Sequence, residues 1–373
     1  MVLCSSKEDI AMLIYVCNME KQKIKLIAYY LPQFYELDVN IPVFGRGYTE
    51  WTRTANAKPL FKGHYQPHVP ADLGFYNLLM PEPRLAQAEM AKEYGIDGFC
   101  YWHYWFGNGV VTMEKPFKAV IESGQPDFPV CLCWANHTWR NTQTQELVVE
   151  QTYPGEKDVI DHFNYVLPAF KDKRYIRVDD KPVFGIFDPA QIPYLDQMID
   201  IWNSLARDNG LTGIYFIGLA QTVAEYDAIK TFNLDAINTV RLKDYFNHTN
   251  KYIDYLKKVL HLPLEHVFPY SKFSEYFVSD IDKSENVIPT ILAGWDHTPR
   301  YGNKALVLKD YTPQAFEKHV TEVLDIVSKK KNQLCFVKAW NEWGEGNHLE
   351  PDIRWGKAFL EVIKKVKSQY LSL

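Results

Sequence analysis

Several familiar sequence motifs are missing, and their absence removes whole classes of function. The six cysteines include no CxxC pair, so a zinc ribbon or a thioredoxin-type redox site is not expected. No GxxxxGK[ST] or GxGxxG segment occurs, so neither ATP nor a dinucleotide is expected as a cofactor. No HExxH is present, and no HxH follows the first apolar run. We therefore expect no cofactor and no catalytic metal.

The chain also lacks an excess of basic residues and a long apolar run. Its 41 Lys and Arg residues against 46 Asp and Glu residues give a net charge of −5, which argues against nucleic acid or an anionic membrane as the partner. No apolar run approaches the length of a membrane span. Aromatic residues, by contrast, make up 15% of the 373 residues, and they either fill a core or offer flat faces to sugar rings.

Eight short apolar runs recur along the chain, with helical or loop segments between them. Most are continuous rather than alternating, which is typical of strands buried on both faces of a parallel sheet. The pattern predicts an α/β fold, a (β/α)8 TIM barrel. A doubly wound open sheet is the alternative, but it usually has a Gly-rich turn after strand one, and residues 29–34 contain no glycine. The runs are 24–30, 96–102, 129–134, 182–187, 214–219, 234–240, 288–293 and 334–340.

A long insertion, residues 45–79, follows the first predicted strand. A loop of this length is usually functional or disordered, and its aromatic content favours an ordered loop. We see no internal repeat and no linker rich in Gly or Ser. We therefore expect a single catalytic (β/α)8 domain over residues 23–373, with residues 1–22 as an N-terminal extension.

The cysteines and the first residues bear on cellular location. Four cysteines lie inside predicted strands, so we expect free, buried thiols and a reducing compartment. Residues 11–17 are apolar, but Glu8 and Asp9 precede them where an export signal carries positive charge. The expected location is the cytoplasm, and the periplasm is the alternative if the first residues are processed.

Polar and aromatic residues accumulate directly after several of the predicted strands. In a (β/α)8 barrel the carboxyl ends of all strands meet at one mouth, where active sites lie. The side chains from these segments are therefore expected to surround one cleft. The segments are 101–106, 134–140, 188–189, 294–297 and 340–346.

The segment after strand eight carries two glutamates, Glu342 and Glu345, three residues apart. In an extended strand they would point to opposite faces, but Gly344 and Gly346 permit a sharp turn. In a helix-like turn the Cβ atoms of such residues lie about 5–6 Å apart. Converging carboxyl groups are what glycoside hydrolysis requires, one protonated and one ionised. The alternative is a solvated turn with two surface glutamates.

The aromatic and histidine residues near the mouth have two interpretations each. A tryptophan after a strand is either core or a platform for a sugar ring, and we expect Trp134 or Trp295 to be such a platform. The histidines could be metal ligands, but we expect hydrogen-bonding roles because the ligand motifs are missing. These histidines are His64, His68, His103, His137, His297 and His348.

Together the motifs resemble the WbsX-like family, which is related to glycoside hydrolase family 99, a family whose founding activity is endo-α-mannosidase. The resemblance extends from about residue 23 to residue 355. The segments that carry it are IAYYLPQF at 27–34, GYTEW at 47–51, HYQPHVPADLG at 64–74, GIDGFCYWHYWF at 95–106, CWANHTW at 133–139 and AWNEWGEGNHLEPD at 339–352.

The family 99 resemblance implies a (β/α)8 barrel and a metal-free reaction that retains anomeric configuration. Its N-E-W-x-E pattern corresponds here to residues 341–345. By this resemblance Glu342 would be the base that draws the proton from the sugar 2-hydroxyl, giving a 1,2-anhydro sugar. Glu345 would protonate the leaving oxygen and then activate water. Such chemistry suits α-mannosides or α-rhamnosides, while an ordinary displacement would use the same glutamates in different roles.

Further residues are expected to bind the sugar because they belong to these motifs or lie at the predicted mouth. Lys338 lies on the same strand face as Glu342; it either points into the barrel and lowers a carboxylate pKa or is partly exposed. The expected sugar-binding residues are Tyr30, Gln33, Glu50, Trp51, His64, Gln66, Trp102, His103, Tyr104, Trp134, Asn136, Trp295, Asp296, Asn341 and Trp343.

The sequence thus favours a retaining glycoside hydrolase whose partner is an oligo- or polysaccharide. One alternative is a glycosyltransferase of surface-polysaccharide biosynthesis, which the family's usual naming suggests. The other is a barrel that binds glycans without catalysis. The sugar, the linkage and the oligomeric state are not specified by the sequence.

Overall fold

The computed structural model describes residues 23–142, 144–244, 259 and 266–370. The proposed extension of residues 1–22 lies outside the described residues, as do Cys4 and Cys17. Within the described part, eight helix-flanked strand positions form a parallel barrel, in agreement with the sequence prediction. Its strands are β1 Lys25–Tyr30, β2 Gly98–Trp105, β3 Val130–Trp134, β4 Lys181–Ile186, β5 Tyr215–Ala220, β6 Ala236–Thr239, β7 in two segments, Val287–Ile288 and Thr290–Leu292, and β8 Leu334–Lys338.

The strands follow one another around the barrel in chain order. β1 pairs in parallel with both β2 and β8, with Ile27 opposite Gly98 and Lys25 opposite Leu334. The two segments of β7 flank Pro289, which has no N–H to donate. The first segment pairs with β6 and the second with β8, so β7 joins the two ends of the sheet.

Helices surround the barrel and cover its outer face. The sequence pattern also predicts helices over 82–94 and 192–208, and both are observed, as α3 and α6 below. Shorter strands outside the barrel are Val111–Thr112, Trp139–Arg140, Leu147–Val149, Arg177–Val178, His266–Pro269, Leu306–Lys309, Asn341–Glu342 and Asn347–His348. Within the described stretches 23–142, 144–244 and 266–370, the α-helices are α1 Ile41–Phe44, α2 Glu50–Asn56, α3 Pro81–Glu93, α4 Lys115–Ser123, α5 Glu156–Phe170, α6 Leu195–Asp208, α7 Val223–Ile229, α8 Tyr270–Phe277, α9 Thr298–Tyr301, α10 Pro313–Val327 and α11 Ala358–Gln369.

Helix α6 illustrates how the sequence builds this outer layer. Its buried residues recur at spacings of three and four, which places them on one face against the strands. Trp202 is fully buried, and its ring lies 4.8 Å from that of Phe184 on β4 and 5.9 Å from that of Phe216 on β5. The buried apolar surface of this layer is the main force that holds the barrel closed.

The long insertion after β1 is ordered, as its aromatic content predicts. Phe34, Trp51 and Tyr76 pack together with ring centroids 4.6–5.0 Å apart. Backbone hydrogen bonds from Ala71 to Pro351 and from Ile353 to Val69 fasten the insertion to the segment that follows β8. The insertion therefore brings α2 to the mouth of the barrel.

The remaining fold-level predictions concern cysteines and membranes. Cys100, Cys131, Cys133 and Cys335 are buried free thiols, as predicted. Over the residues that the structure describes, no helix combines the length and the apolar character needed to cross a bilayer.

Candidate active site

The carboxyl ends of the barrel strands open into a cleft of about 770 Å³. This is the end of a (β/α)8 barrel at which active sites lie. Both glutamates of the predicted pair face it. The aromatic residues that line it are Tyr29, Phe44, Tyr48, Trp102, Tyr104, Trp139, Phe187, Trp295 and Tyr301.

The segment after β8 folds into a tight corner that carries both glutamates. Asn341–Glu342 and Asn347–His348 pair as antiparallel strands, and Trp343–Glu345 forms a single 3-10 turn between them. Gly346 has a φ of 54°, and a Cβ there would lie 2.7 Å from Asp296 Cβ. Glycine is therefore required at this position both by conformation and by space. The turn agrees with the sequence prediction of a helix-like turn hinged on glycine.

Arg300 joins the two glutamates of the corner to a third carboxylate. Its guanidinium donates to Glu50 Oε1 through Nε at 3.0 Å and through Nη2 at 2.6 Å. It also donates to Glu345 Oε1 at 2.6 Å and to Glu342 Oε2 at 3.2 Å. Because Glu50 begins α2 and Arg300 lies in α9, this network clamps the loops after β1 and β7 onto the corner.

Glu345 lies among three basic side chains. Arg300 Nη1 is 2.6 Å and His297 Nε2 is 3.1 Å from its Oε1, and Lys338 Nζ is 3.8 Å from its Oε2. Burial acts to raise the pKa of Glu345, but Arg300, Lys338 and His297 outweigh burial and hold this pKa well below its ordinary value. The Glu345 carboxyl is therefore ionised at neutral pH.

Glu342 lies in a less cationic environment. Trp102 Nε1 donates to its Oε1 at 3.0 Å. Burial and the charge of Glu345 raise the pKa of Glu342 to about 7, although Arg300 and Lys338 act in the opposite direction. Near neutral pH the two carboxyl groups thus differ in charge, which is the division that acid–base hydrolysis of a glycoside requires.

Lys338, at the end of β8, points into the barrel rather than into solvent. Its Nζ lies 5.4 Å from the ring centroids of both Trp102 and Trp295. A cation held between two indole faces is stabilised by their π-systems. Of the two interpretations that the sequence left open, the structure therefore supports the inward one.

Replacing Arg300 with glutamine (Arg300→Gln) should destabilise the fold and raise the pKa of Glu345. Removing one partner from a buried ion-pair network leaves uncompensated charge and costs about 3–5 kcal/mol. Urea unfolding measures the first effect, and carboxyl NMR titration measures the second. Arg53→Gln is the matched control, since Arg53 lines the same cleft without forming an ion pair to any described residue. Equal effects of the two variants would contradict the clamp.

Seven of the predicted site residues line the cleft. Trp295 is among them, so the expectation of a sugar platform stays open for this indole. Their spatial proximity agrees with the prediction that the strand ends converge on one cleft. The seven are Gln33, Glu50, Trp102, Tyr104, Trp295, Glu342 and Glu345.

Three predicted sugar-binding residues on strands face away from the cleft. Tyr30 is fully buried and donates to Gln87 of α3, and His103 forms a hydrogen bond with His162 of α5. Successive side chains of a strand point to opposite faces, so Tyr29 and Trp102 face the interior while their neighbours face the helices. Trp134 likewise lies in the core, where its Nε1 donates to the carbonyl of Trp105 at 2.8 Å. The structure therefore gives the platform role expected of Trp134 no support.

Asn136 and Asn341 are fully buried and act on backbone rather than at the cleft surface. Asn136 accepts from the N–H of Asp188 and donates to its carbonyl, at 2.8 and 2.7 Å. Asn341 makes the same two hydrogen bonds with Leu31, at 2.8 and 3.0 Å. Each side-chain amide thus makes the two hydrogen bonds that the backbone of a neighbouring strand would make, and it fixes the end of the adjacent strand.

The other predicted site residues support the corner from behind. His64 and Gln66 both form hydrogen bonds with Asp296 Oδ2 at 2.7 Å, and the N–H of Asp296 donates to the carbonyl of Glu345. Trp51 and Trp343 pack at 5.5 Å, and Trp343 is fully buried. These side chains are placed to position the glutamates rather than to line the cleft.

Two features of the site were not found from the sequence. Arg300 lies three residues beyond the segment singled out after strand seven, and nothing in its local sequence marks it as a partner of three carboxylates. Glu350 is buried and accepts from Tyr76, Gln87 and Trp343. Its position inside the motif 339–352 was the available signal.

Comparison with known proteins places the chain among barrel proteins related in fold to glycoside hydrolases. The family model described as "Glycosyltransferase WbsX" matches residues 26–363. The chain therefore belongs to the WbsX family. Proteins described as "Uncharacterized protein WxcX" from two strains of Xanthomonas campestris pv. campestris are 28% identical over 91% of this chain and 49% of their own length. The chain thus spans about half the length of these relatives.

Solved structures with the same fold include two glycoside hydrolase-type barrels. The GH99 endo-α-mannosidase from Bacteroides thetaiotaomicron superposes with a TM-score of 0.61 at 15% identity, over 93% of this chain and 97% of its own. A "Glycoside hydrolase-like protein" superposes with a TM-score of 0.58 at 17% identity, over 93% and 95%. At this level of identity the likeness extends to the fold alone.

Proposed function

We propose that the chain is a retaining glycoside hydrolase that acts on a polysaccharide. The observation that carries this proposal is the glutamate pair, Glu342 and Glu345, which one arginine joins at an aromatic-lined mouth. Aromatic faces in the cleft suit the apolar faces of sugar rings. The likeness in fold to an endo-α-mannosidase supports α-mannoside-like or α-rhamnoside-like linkages as the first substrates to examine.

The electrostatics of the site favour Glu342 as the acid and Glu345 as the ionised partner. These roles are the reverse of those that the family 99 resemblance implies, with Glu342 as the base and Glu345 as the acid. In the proposed first step Glu342 gives its proton to the leaving oxygen as the bond from C1 breaks. Glu345 either attacks C1 or takes the 2-hydroxyl proton while O2 attacks C1. In the second step water attacks C1 and gives a proton to Glu342, while the bond formed to C1 in the first step breaks. Glu345 then either leaves C1 as the carboxylate or returns its proton to O2, which restores the 2-hydroxyl.

A screen against purified bacterial polysaccharides tests the function directly. NMR of the first product anomer should show retained configuration, together with new reducing ends. A 2-O-methyl substrate separates the two routes, because only direct attack by Glu345 proceeds without a free 2-hydroxyl. An inverted first product, or no cleavage of any glycan that binds, would contradict the proposal.

The pH dependence of kcat/KM should fall as pH rises through about 7. The reason is that catalysis needs the proton of Glu342, whose pKa is raised to about 7, while Glu345 stays ionised far below that pH. On activated substrates, the residual kcat/KM of Glu342→Gln should not show this fall at alkaline pH, which we call the alkaline limb. Glu350 also has a pKa raised to about 7, so Glu350→Gln is the control and should keep the limb. Loss of the limb in the control variant alone would contradict the assignment.

A glycosyltransferase is the second candidate, because the matching family model carries that description. A transferase must bind a nucleotide sugar, whereas the proposed hydrolase needs only glycan and water. Calorimetry with UDP-, GDP- and dTDP-sugars distinguishes the two. Clear binding of one of them, with transfer to an acceptor glycan, would replace the hydrolase proposal.

A further inference from the structure

Behind the catalytic corner lies a buried cluster of three metal-type ligands: His68, His348 and Asp352. One ligand atom of each lies within 4.8 Å of the others. His68 comes from the insertion after β1, and the other two come from the segment after the corner. The sequence shows no ligand spacing because His68 lies 280 residues before His348.

The hydrogen bonds around the two imidazoles determine which nitrogen carries a lone pair. His348 Nδ1 lies 2.9 Å from the carbonyl of Glu350, so it must be the N–H donor, and Nε2 has the lone pair. This Nε2 faces His68 Nδ1 at 2.9 Å. A histidine that donates one ring N–H to a backbone carbonyl and aims the other nitrogen inward has the orientation typical of a metal ligand.

Asp352 supplies a buried carboxylate without a counter-charge. Its residue is 3% exposed, and it forms no ion pair with any residue that the structure describes. The N–H groups of Arg354 and Trp355 both donate to Oδ1, and the Tyr65 hydroxyl also lies beside the carboxylate. Buried charges in proteins are generally paired with opposite charges or coordinate metals.

A small cavity adjoins the cluster. Its volume is about 10 Å³, and Tyr311, Gly346, His348 and Asp352 are among the residues that line it. A cavity of this size is about the smallest that holds one water molecule. It therefore offers room for the open coordination position beside the three protein ligands.

We propose that His68, His348 and Asp352 form a binding site for one divalent transition ion of the Zn²⁺ class. Two imidazoles and one carboxylate form a ligand set that zinc accepts, with water in the fourth position. Nitrogen ligands of one zinc ion in tetrahedral geometry lie about 3.3 Å apart, so the ion must separate the two rings by roughly 0.4 Å.

Binding requires no net release of protons from the ligands. The His68 proton moves from Nδ1 to Nε2. The Tyr311 hydroxyl oxygen lies 3.2 Å from this nitrogen and can accept a hydrogen bond from the new N–H. Two neutral imidazoles, one carboxylate and one divalent cation leave the site with a charge of +1. The ion would compensate the buried charge of Asp352.

The position of the site indicates a structural role for the ion. The His348 ring stacks on Trp343 at 3.7 Å, and Trp343 lies in the turn between the two glutamates. Fixing His348 to the insertion and to Asp352 would therefore hold the corner against the barrel. This role does not depend on the reaction that the glutamates perform.

Metal content of the untagged chain tests the site independently of activity. After equilibration with equimolar Zn²⁺ and gel filtration, mass spectrometry should find about one zinc per chain. Substitution with Co²⁺ should give the visible absorption bands of a tetrahedral or five-coordinate site. Thermal melting should shift upward with Zn²⁺ and downward with a chelator.

Asp352→Asn and His348→Phe should abolish zinc retention and the visible bands. Asp352→Asn keeps the shape of the side chain, and His348→Phe keeps an aromatic ring that can stack on Trp343. His162→Phe is the matched control, because His162 also pairs with a histidine, at 2.8 Å, and stacks on a tryptophan, at 4.8 Å, in the core. This control should retain zinc. Wild-type protein without bound zinc and without a melting shift, or Asp352→Asn that retains zinc, would overturn the proposal in favour of a hydrogen-bond chain with water only.

Discussion

Glu345→Gln is expected to abolish turnover of the natural glycan while leaving glycan binding nearly unchanged. Glutamine has the shape of glutamate but can neither accept a proton nor attack C1, and such a loss is worth about 10²–10⁴-fold in rate. Initial rates and calorimetry measure the two effects separately. Glu225→Gln is the matched control, because Glu225 lines the same cleft but lies outside the corner.

The leaving group of the substrate distinguishes the roles of the two glutamates. Glu342→Gln should lose activity on the natural glycan but keep most of it on a dinitrophenyl glycoside of the same sugar, whose leaving group needs no proton. Glu345→Gln should be inactive on both substrates, because the attack on C1 that Glu345 makes or assists is needed whichever group leaves. The reverse pattern would restore the roles that the family 99 resemblance implies. If the wild type and the variant that combines Glu342→Gln with Glu345→Gln bind glycan equally and neither reacts, the chain is a barrel that binds glycans without catalysis.

The fold was largely predictable because each barrel strand is buried on both faces. Such strands appear in the sequence as continuous apolar runs, and each of the eight predicted runs overlaps a barrel strand. The split of β7 at Pro289 was not predicted, since the sequence pattern does not tell which neighbour each half pairs with. The order of the strands followed from the fold class, not from the runs themselves.

The site was predictable in part, and strand parity explains much of the remainder. The glutamate pair is local, three residues apart with glycines at the turn, so the sequence could place it. The motif 27–34 contains both Tyr29, which lines the cleft, and Tyr30, which is buried in the core. A shift of one residue along the strand changes which of the two faces the cleft. Arg300 reaches Glu50 across 250 residues, and a contact of that kind leaves no trace in local spacing.

Gly344→Ala should disrupt the catalytic corner more than its small size suggests. A Cβ at this position would lie 2.9 Å from Glu50 Cδ and 3.1 Å from Arg300 Nε, with Glu50 Oε1 nearer still. The Glu50 side chain is 2% exposed and is held by its ion pair with Arg300, so moving it would disturb that pair. We expect a loss of activity of about 10²-fold, the scale of a 1 Å misplacement of reacting groups, with the barrel intact by circular dichroism.

The expected loss of activity results from crowding by the added methyl group rather than from loss of backbone freedom. Gly294→Ala is the control at a neighbouring strand end, since its Cβ would approach no atom nearer than the carbonyl oxygen of Gly346 at 3.2 Å. Shortening the opposing side chain, Glu50→Asp, should withdraw the crowded oxygen and partly restore the activity of Gly344→Ala. Such recovery is a coupling between contacting residues that a double-mutant cycle measures. Simple additivity of the two substitutions would show instead that the close approach of Glu50 does not determine the geometry of the corner.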